Sequence, residues 1–351
     1  MHPDRREGRK TMKAARFYEK RKLVVEEVPV REPGDTEVVI KIKYCGICGT
    51  DVHIFEGEKG SAEVNPPVTL GHELSGDVEC VGAAVRSFKK GDRVSVDPNS
   101  YCGKCYFCAN GKKHLCTAMK GLGTAVDGGF AEYITVPEET VYPVAENVSY
   151  EAAAMTEPVS CCLHGFDMTG IHMGDTVMIV GTGNIGLIMV QLARHAGADK
   201  IIAVEPDGGR REKAVKMGAD FGIDPLTDDT DAVLKEHGIV NVDKVIECAG
   251  RTSTAEYSVQ YAGRGATVML FGLTGPDEVM KLKPFEVFQK ELTIKGSFVN
   301  PDTFERAGRL LGAGIIKTEE IITDIIDLKD IQNVFETRLY AKRGKVLIKC
   351  T

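Results

Sequence analysis

The sequence feature that most limits the possible folds of this chain is a glycine-rich turn between a predicted strand and a predicted helix. The stretch "TVMIVGTGNIGLIMVQLARHAGA" places Gly181, Gly183 and Gly186 between a β-rich run and a segment with helical spacing of apolar residues. Gly181 permits a tight turn, Gly183 lets phosphate groups approach the backbone, and Gly186 allows close packing of helix on strand. Together with Asn184 and Ile185, these glycines predict a dinucleotide site at the helix N-terminus.

A carboxylate follows the next predicted strand, "IIAVEPD", at Glu205. A carboxylate at this place can accept hydrogen bonds from both ribose hydroxyls and repels a 2′-phosphate, so NAD is favoured over NADP. Arg210 and Arg211 follow shortly after it. NADP stays open, because a guanidinium there can bind a phosphate.

The pattern of strands and helices predicts an α/β fold with two parts. The opening is β-rich, with short runs at Lys13–Tyr18, Leu23–Val28 and Glu37–Cys45, and the β-rich texture continues after Gly71 as in a small barrel. From about residue 151 onward, β-rich runs alternate with helical stretches, which predicts a doubly wound parallel sheet. Its predicted strands are Thr176–Val180, Lys200–Val204, Lys244–Glu247, Ala266–Phe271 and Leu292–Ile294. A chain of 351 residues has room for both domains.

The charge and hydropathy of the chain limit the classes of partner that it could bind. The net charge is −7, and no basic stripe occurs beyond the first ten residues, which disfavours nucleic acid and anionic membranes. No apolar run is long enough to span a bilayer, and the charged N-terminus lacks the apolar region of a signal peptide. We therefore expect a cytoplasmic protein that acts on a small molecule.

Four cysteines crowd one short segment, "YCGKCYFCANGKKHLC". Their thiolates suit one tetrahedral Zn²⁺ with no open position, which makes this a structural zinc site. An iron–sulfur cluster is the alternative reading of the same spacing. The four residues are Cys102, Cys105, Cys108 and Cys116.

A second group of donors is mixed. Cys48 lies in "YCGICGTDVH", His72 lies in "GHE", and either Glu73 or Glu157 could complete the set. Three protein donors with one open position are typical of catalytic zinc. The Cys45–Cys48 spacing alone also fits a redox dithiol.

These motifs resemble the zinc-dependent medium-chain dehydrogenase/reductase family, and within it the sorbitol (polyol) dehydrogenase branch. The marks are "CGICGTDVH", "GHE", "GDRVSVDP", "EPVS", "GTGNIG" and the four-cysteine lobe, and the resemblance extends from Met12 to the end of the chain. It implies a GroES-like catalytic domain at 12–160 and 297–351, with a zinc lobe at 98–118. It also implies a Rossmann domain at 161–296, an active site in the cleft between the domains, and a homodimer or homotetramer.

The resemblance also implies roles for the site residues. Cys48, His72 and Glu73 match the catalytic zinc ligands, whereas Glu157 stands where classical alcohol dehydrogenases place a second cysteine. Either glutamate could then hold the metal. Thr50 would pass a proton toward the nicotinamide ribose, and His53 would hand it to solvent. The expected cofactors are two zinc ions per chain and NAD as hydride acceptor.

The substrate class is a polyol or a secondary alcohol. Sorbitol dehydrogenases typically carry a substrate-binding arginine where this chain has Val299, so arabinitol-like, galactitol-like, phosphorylated or inositol-like substrates are open. One alternative is amino-alcohol oxidation as in threonine dehydrogenase, although that branch usually shows "GE-x-H" where residues 95–98 read "SVDP". Another is a non-catalytic nucleotide-binding protein on the same fold.

Overall fold

The computed structural model describes residues 10–58, 64–342 and 344–351. Its strands are β1 Thr11–Glu19, β2 Lys22–Pro29, β3 Glu37–Gly46, β4 Val68–Thr69, β5 Glu73–Val81, β6 Arg93–Val96, β7 Asn99–Ser100, β8 Lys120–Gly121, β9 Tyr133–Pro137, β10 Val141–Pro143, β11 Thr176–Val180, β12 Lys200–Val204, β13 Phe221–Ile223, β14 Lys244–Glu247, β15 Thr267–Leu270, β16 Thr293–Gly296, β17 Ile322–Asp327 and β18 Lys345–Lys349. The helices are α1 Gly49–Phe55, α2 Tyr106–Ala109, α3 Tyr150–Ala154, α4 Thr156–Thr169, α5 Asn184–His195, α6 Gly208–Lys216, α7 Thr230–Glu236, α8 Thr252–Tyr261, α9 Pro284–Lys290, α10 Phe304–Gly312, α11 Ile331–Thr337 and α12 Leu339–Lys342.

The chain divides into two compact units. The first contains the described residues up to Glu157 together with Phe304–Gly312 and Lys317–Thr351. The second contains Pro158–Thr303 and Ala313–Ile316. Both ends of the chain therefore contribute to one unit, and the middle of the chain forms the other.

A seven-stranded sheet organises the first unit, in the order β10-β6-β5-β3-β18-β17 with β9 paired to β3. Strand β3 is central because it pairs with β5, β9 and β18. Alternate residues of β3, such as Ile40 and Ile42, are fully buried, as expected for a strand with one face on the core. The rings of Phe55 and Phe335 pack in the same core with centroids 4.9 Å apart.

Six parallel strands form the sheet of the second unit, in the order β13-β12-β11-β14-β15-β16. Counted within the unit, this order is 3-2-1-4-5-6, which is that of the Rossmann fold. The strand order reverses beside β11, and the glycine-rich turn follows β11 directly. The predicted α/β fold, with a β-rich GroES-like domain and a Rossmann domain, is confirmed.

No helix in the described part of the chain is long and apolar enough to cross a membrane.

Candidate active site

Three side chains of the first unit bring mixed donor atoms together. The thiol of Cys48, a ring nitrogen of His72 and a carboxylate oxygen of Glu73 all lie within 4.8 Å of one another. His72 and Glu73 are buried and Cys48 is half-buried. Sulfur, nitrogen and oxygen donors at this spacing fit one Zn²⁺. The three side chains could therefore bind one metal ion together.

Strand pairing explains how residues so far apart in sequence converge. Gly46, the last residue of β3, pairs with Glu73 of β5 on one side and with Leu347 of β18 on the other. Cys48 follows two residues later at the start of α1. A Cβ atom at Gly46 would collide with Oε2 of Glu73, so only glycine leaves room for that carboxylate.

Asp51 positions two of the three donors, a role that no sequence motif predicts. Its side chain is 1% exposed. One carboxylate oxygen accepts a hydrogen bond from the backbone N–H of Cys48 (2.9 Å) and the other lies 3.6 Å from Nδ1 of His72. Burial opposes a charge on His72, yet Asp51 and Cys48 hold the pKa of His72 well above its usual value. A carboxylate behind a ligating histidine fixes the ring orientation and strengthens the ligand.

Lys345 was also missed, and it contacts the same centre from β18. This lysine is 3% exposed. Its ammonium pairs with Oε2 of Glu73 and donates a hydrogen bond to the carbonyl of Ile47 (2.9 Å). Burial opposes the charge, but Glu73 and Cys48 raise the pKa of Lys345 above its ordinary value. Lys345 is therefore a buried cation beside the donor set.

Glu157 and Cys45 lie near the three donors but outside the set. Glu157, at the start of α4, is 8% exposed, and its negative charge helps to raise the pKa of Lys345. Cys45 is fully buried, and burial raises the pKa of its thiol well above the usual value. A thiol that stays protonated is inert as a nucleophile, which disfavours a Cys45–Cys48 redox dithiol.

Helix α1 also carries the two residues expected to move a proton. Thr50 and His53 are three residues apart and therefore neighbours on the helix surface. Thr50 is half-buried, and the side chain of His53 is about one third exposed. Nδ1 of His53 lies 2.5 Å from a carboxylate oxygen of Glu58. Thr50 and His53 are therefore placed so that a proton could pass from the half-buried hydroxyl through the imidazole to solvent.

The four-cysteine lobe forms a second donor cluster in the first unit. The sulfur atoms of Cys102, Cys105, Cys108 and Cys116 all lie within 4.8 Å of one another. Strands β7 and β8 pair at the base of the lobe. Backbone N–H groups of Cys108 and Thr117 lower the pKa of Cys105 to about 6. Four thiols around one point match a closed tetrahedral Zn²⁺ site.

The glycine-rich turn of the second unit has the shape that a dinucleotide needs. Gly181 has φ +88°, a left-handed conformation in which other residues are strained. A Cβ at Gly186 would collide with the carbonyl oxygen of Gly181, whereas a Cβ at Gly183 would meet no atom within 4 Å. Gly183 caps α5 without a side chain to accept its first N–H groups. The open space at Gly183 and the first backbone N–H groups of α5 therefore lie together, where a pyrophosphate would bind.

Glu205 is joined to this turn by hydrogen bonds. Its buried carboxylate accepts from the backbone N–H of Thr182 (3.0 Å) and from that of Asp207 (3.2 Å). The backbone N–H of Arg210 donates to Asp207 in the first turn of α6. These hydrogen bonds therefore join the glycine-rich turn after β11 to the connection that follows β12.

Comparisons with known proteins agree with this arrangement. The alcohol dehydrogenase GroES-like domain family matches residues 34–146, and the zinc-binding dehydrogenase family matches residues 184–313. A sorbitol dehydrogenase from Bacillus subtilis is 35% identical over 336 residues, covering 94% of each chain. The chain belongs to the zinc-dependent medium-chain dehydrogenase family.

Two further members of this family bear on cofactor and substrate. An L-threonine 3-dehydrogenase from Pyrococcus horikoshii is 35% identical, covering 92% of this chain and 93% of the relative. A protein assigned as a zinc-binding dehydrogenase from Sinorhizobium meliloti, solved bound to NADP, superimposes with a TM-score of 0.92 at 38% identity. That match covers 97% of this chain and 99% of the other. The family resemblance predicted from the motifs is confirmed, and the chain is an alcohol-dehydrogenase-type oxidoreductase.

Proposed function

We propose that this medium-chain dehydrogenase oxidises a hydroxyl group of a polyol or secondary alcohol, with zinc at Cys48, His72 and Glu73 and with NAD as hydride acceptor. The convergence of those three donors carries the proposal, because a thiolate, an imidazole and a carboxylate leave one zinc position for an oxygen of the substrate. When bound, zinc supplies Lewis acidity that lowers the pKa of the substrate hydroxyl, and NAD accepts the hydride.

The protein's own residues hold the donors and move the proton. Asp51 fixes the orientation of His72 and, through the Cys48 N–H, the start of α1. We assign Thr50 as the first acceptor of the hydroxyl proton, and His53 as the group that passes it to solvent. The contact between His53 Nδ1 and Glu58 supports this, since an Nδ1–H that donates to the carboxylate puts the ring's acceptor lone pair on Nε2.

Glu157 is proposed as an alternative third ligand. It is buried near Lys345 and carries a carboxylate, yet it lies outside the group of donors within 4.8 Å of one another. The favoured ligand set is therefore Cys48, His72 and Glu73. We propose a separate structural zinc in the four-cysteine lobe.

NAD is the proposed cofactor because of Glu205. A buried carboxylate fixed by two backbone N–H groups opposes a 2′-phosphate. The relative bound to NADP shows that this fold also accepts the phosphorylated cofactor. Assays with both nucleotides in parallel distinguish them.

The substrate assignment rests on similarity to the sorbitol dehydrogenase and on the "SVDP" stretch at 95–98. The threonine dehydrogenase is equally identical overall, but Ser95 and Asp97 stand where its branch usually carries "GE-x-H". Val299 lacks the guanidinium expected for sorbitol itself. We propose a polyol other than sorbitol as the preferred substrate.

A substrate panel tests this assignment. Purified enzyme would be assayed for NAD reduction with sorbitol, arabinitol, galactitol, their phosphates, inositol, simple secondary alcohols and threonine. The proposal predicts the highest kcat/KM for a polyol or a polyol phosphate other than sorbitol. A preference for threonine would contradict the polyol assignment while leaving the zinc and nucleotide sites in place.

Assembly through the parallel sheet is also proposed. Strand β16 is the last strand of that sheet, and the side chains of Phe285 and Phe288 on the preceding helix are 68% and 78% exposed. Exposed aromatic side chains beside an open sheet edge favour contact with a second copy. We propose a homodimer or homotetramer.

The cysteines bear on the compartment. All eleven are free thiols, so we propose a reducing compartment such as the cytoplasm.

A further inference from the structure

Glu247 is a buried carboxylate that takes no part in the proposed chemistry. It is the last residue of β14 and is 1% exposed. Its Oε1 atom accepts hydrogen bonds from the backbone N–H groups of Ala249 and Gly250, both at 2.9 Å. The hydroxyl of Thr254, in α8, donates to the same atom (2.6 Å). A carboxylate that is removed from water needs such donors, because burying an unpaired charge is costly. Glu247 therefore fixes the segment 248–250, which follows β14 directly.

The segment 248–250 packs on the glycine-rich turn that follows β11. A Cβ atom at Gly181 would lie 2.9 Å from the Cβ of Ala249 and 3.0 Å from its backbone nitrogen. This close approach is possible because Gly181 has no side chain. The backbone N–H of Cys248 also donates to the carbonyl of Val180, the last residue of β11 (2.8 Å). The position of the turn therefore depends on the position of the segment beside it.

The connection after β15 meets the same segment. The backbone carbonyl of Glu247 accepts hydrogen bonds from the N–H groups of Phe271 (3.0 Å) and Gly272 (2.9 Å). Gly250 has φ +67°, and a Cβ atom there would lie 2.6 Å from the carbonyl oxygen of Leu273. Glu247 thus joins the carboxyl ends of three neighbouring strands, β11, β14 and β15.

These strand ends lie where the strand order of the parallel sheet reverses. Strands β11 and β14 are neighbours at the reversal, and a dinucleotide binds across the crevice at such a point, with one mononucleotide half on each side. Glu205 follows β12, on the side where the adenosine half is expected. The segment 248–250 follows β14, on the side of the nicotinamide half.

We propose that Glu247 is a positioning residue for the dinucleotide, and that it holds the segment 248–250 in the conformation that accepts the nicotinamide half. The inference rests on the proposed cofactor site and deepens it. Glu247 acts through the segment, since three donors already occupy its Oε1 atom. Changing this carboxylate should therefore weaken the binding of the whole dinucleotide and spare the binding of its adenosine half.

The test measures the binding of NAD and of AMP by titration calorimetry. AMP carries only the adenosine half, so it reports on the β12 side of the site. Glu247→Gln keeps the shape of the side chain and removes the charge that strengthens its hydrogen bonds. We expect it to weaken NAD binding by about tenfold, the scale of one hydrogen bond to a charged group, and to leave AMP affinity at the wild-type value. Unchanged NAD affinity, or equal weakening of NAD and AMP, would overturn the proposal.

Asp243→Asn is the matched control. Asp243 lies just before β14, at the opposite end of the same strand, and its carboxylate also accepts a backbone N–H, that of Thr176 (2.9 Å). The variant weakens a comparable hydrogen bond at the other edge of the sheet and should bind NAD and AMP as wild type does. A loss of NAD affinity as large as that of Glu247→Gln would overturn the proposal.

Two variants of Thr254 keep the test decisive if Glu247→Gln does not fold. Thr254→Val removes the hydroxyl that donates to Glu247 and leaves the carboxylate in place, so it should weaken NAD binding by a smaller factor and spare AMP. Thr254→Ser keeps the donor and should match wild type. Unchanged NAD affinity in Thr254→Val, or equally weak binding in Thr254→Ser, would overturn the proposal. A wild-type protein that binds neither NAD nor NADP would contradict the proposed function as well, whereas the other results contradict only the role of Glu247.

Discussion

One carboxylate oxygen of Asp51 lies 3.6 Å from Nδ1 of His72, while the other accepts a hydrogen bond from the backbone N–H of Cys48. A single buried side chain therefore positions two donors that are 24 residues apart in sequence. Asp51 also accepts a hydrogen bond from the N–H of Gly71 (3.1 Å), which ties the loop before β5 to α1.

Asp51→Asn should loosen the catalytic zinc. The amide keeps the shape of the side chain but removes the negative charge that orients His72 and strengthens it as a ligand. We expect zinc affinity at this site to fall by about 10- to 100-fold. Competition with a chelator of known affinity measures the change, and the four-cysteine site in the same molecule is the control. Equal affinity in wild type and variant would contradict the role given to Asp51.

Two glycines of the nucleotide turn should respond differently to alanine. A methyl group at Gly186 would collide with the carbonyl of Gly181, so Gly186→Ala should destabilise the fold by about 1–3 kcal/mol. A methyl group at Gly183 meets no protein atom within 4 Å, so Gly183→Ala should keep wild-type stability and bind NAD more weakly. Thermal unfolding and NAD titration measure the two effects. Normal NAD affinity in Gly183→Ala would mean that the phosphates bind elsewhere.

Glu205→Gln should shift the nucleotide preference. The amide no longer repels a 2′-phosphate, so the ratio of kcat/KM with NADP to that with NAD should rise by about tenfold, or about 1.4 kcal/mol. Glu212→Gln on the exposed face of α6 is the matched control and should leave the ratio unchanged. If wild type already prefers NADP, the assignment of NAD is wrong.

Local motifs explain why most of this site could be predicted. The proposed ligands Cys48 and His72, the four cysteines and the glycine turn each have a characteristic spacing, and the sequence predicts strands such as Thr176–Val180 with the observed bounds. The strand β13 has only three residues and was missed, because so short a run shows no period.

Asp51 and Lys345 could not be identified in the same way. Asp51 lies inside a quoted motif, but its role depends on the Gly71–His72 loop returning to α1. Lys345 reaches the site because β18 pairs with β3, which lies about 300 residues earlier. A lysine at the start of a strand ordinarily indicates a solvent-exposed position. These contacts are products of long-range pairing, which local sequence patterns do not encode.

Cys108→Ser should remove the structural zinc and leave the catalytic one. One hydroxyl in place of a thiolate breaks a closed four-sulfur shell. The regular structure of the lobe is otherwise limited to the short β7–β8 pair, the one-turn helix α2 and a 3-10 turn at Lys113–Leu115. We expect about one zinc per chain and a lower melting temperature. Elemental analysis and calorimetry measure both quantities. Cys80→Ser, at an exposed cysteine outside either cluster, should retain two zinc ions and the wild-type melting temperature.

The most direct test measures two quantities, the zinc content per chain and the rate of alcohol-dependent NAD reduction, in wild type and in Cys48→Ala. The proposed function predicts two zinc ions per chain and polyol-dependent NAD reduction in wild type. In Cys48→Ala it predicts one zinc ion and a loss of NAD reduction of at least about a hundredfold. Full activity in Cys48→Ala, or the same zinc content in both proteins, would contradict a catalytic metal at Cys48, His72 and Glu73.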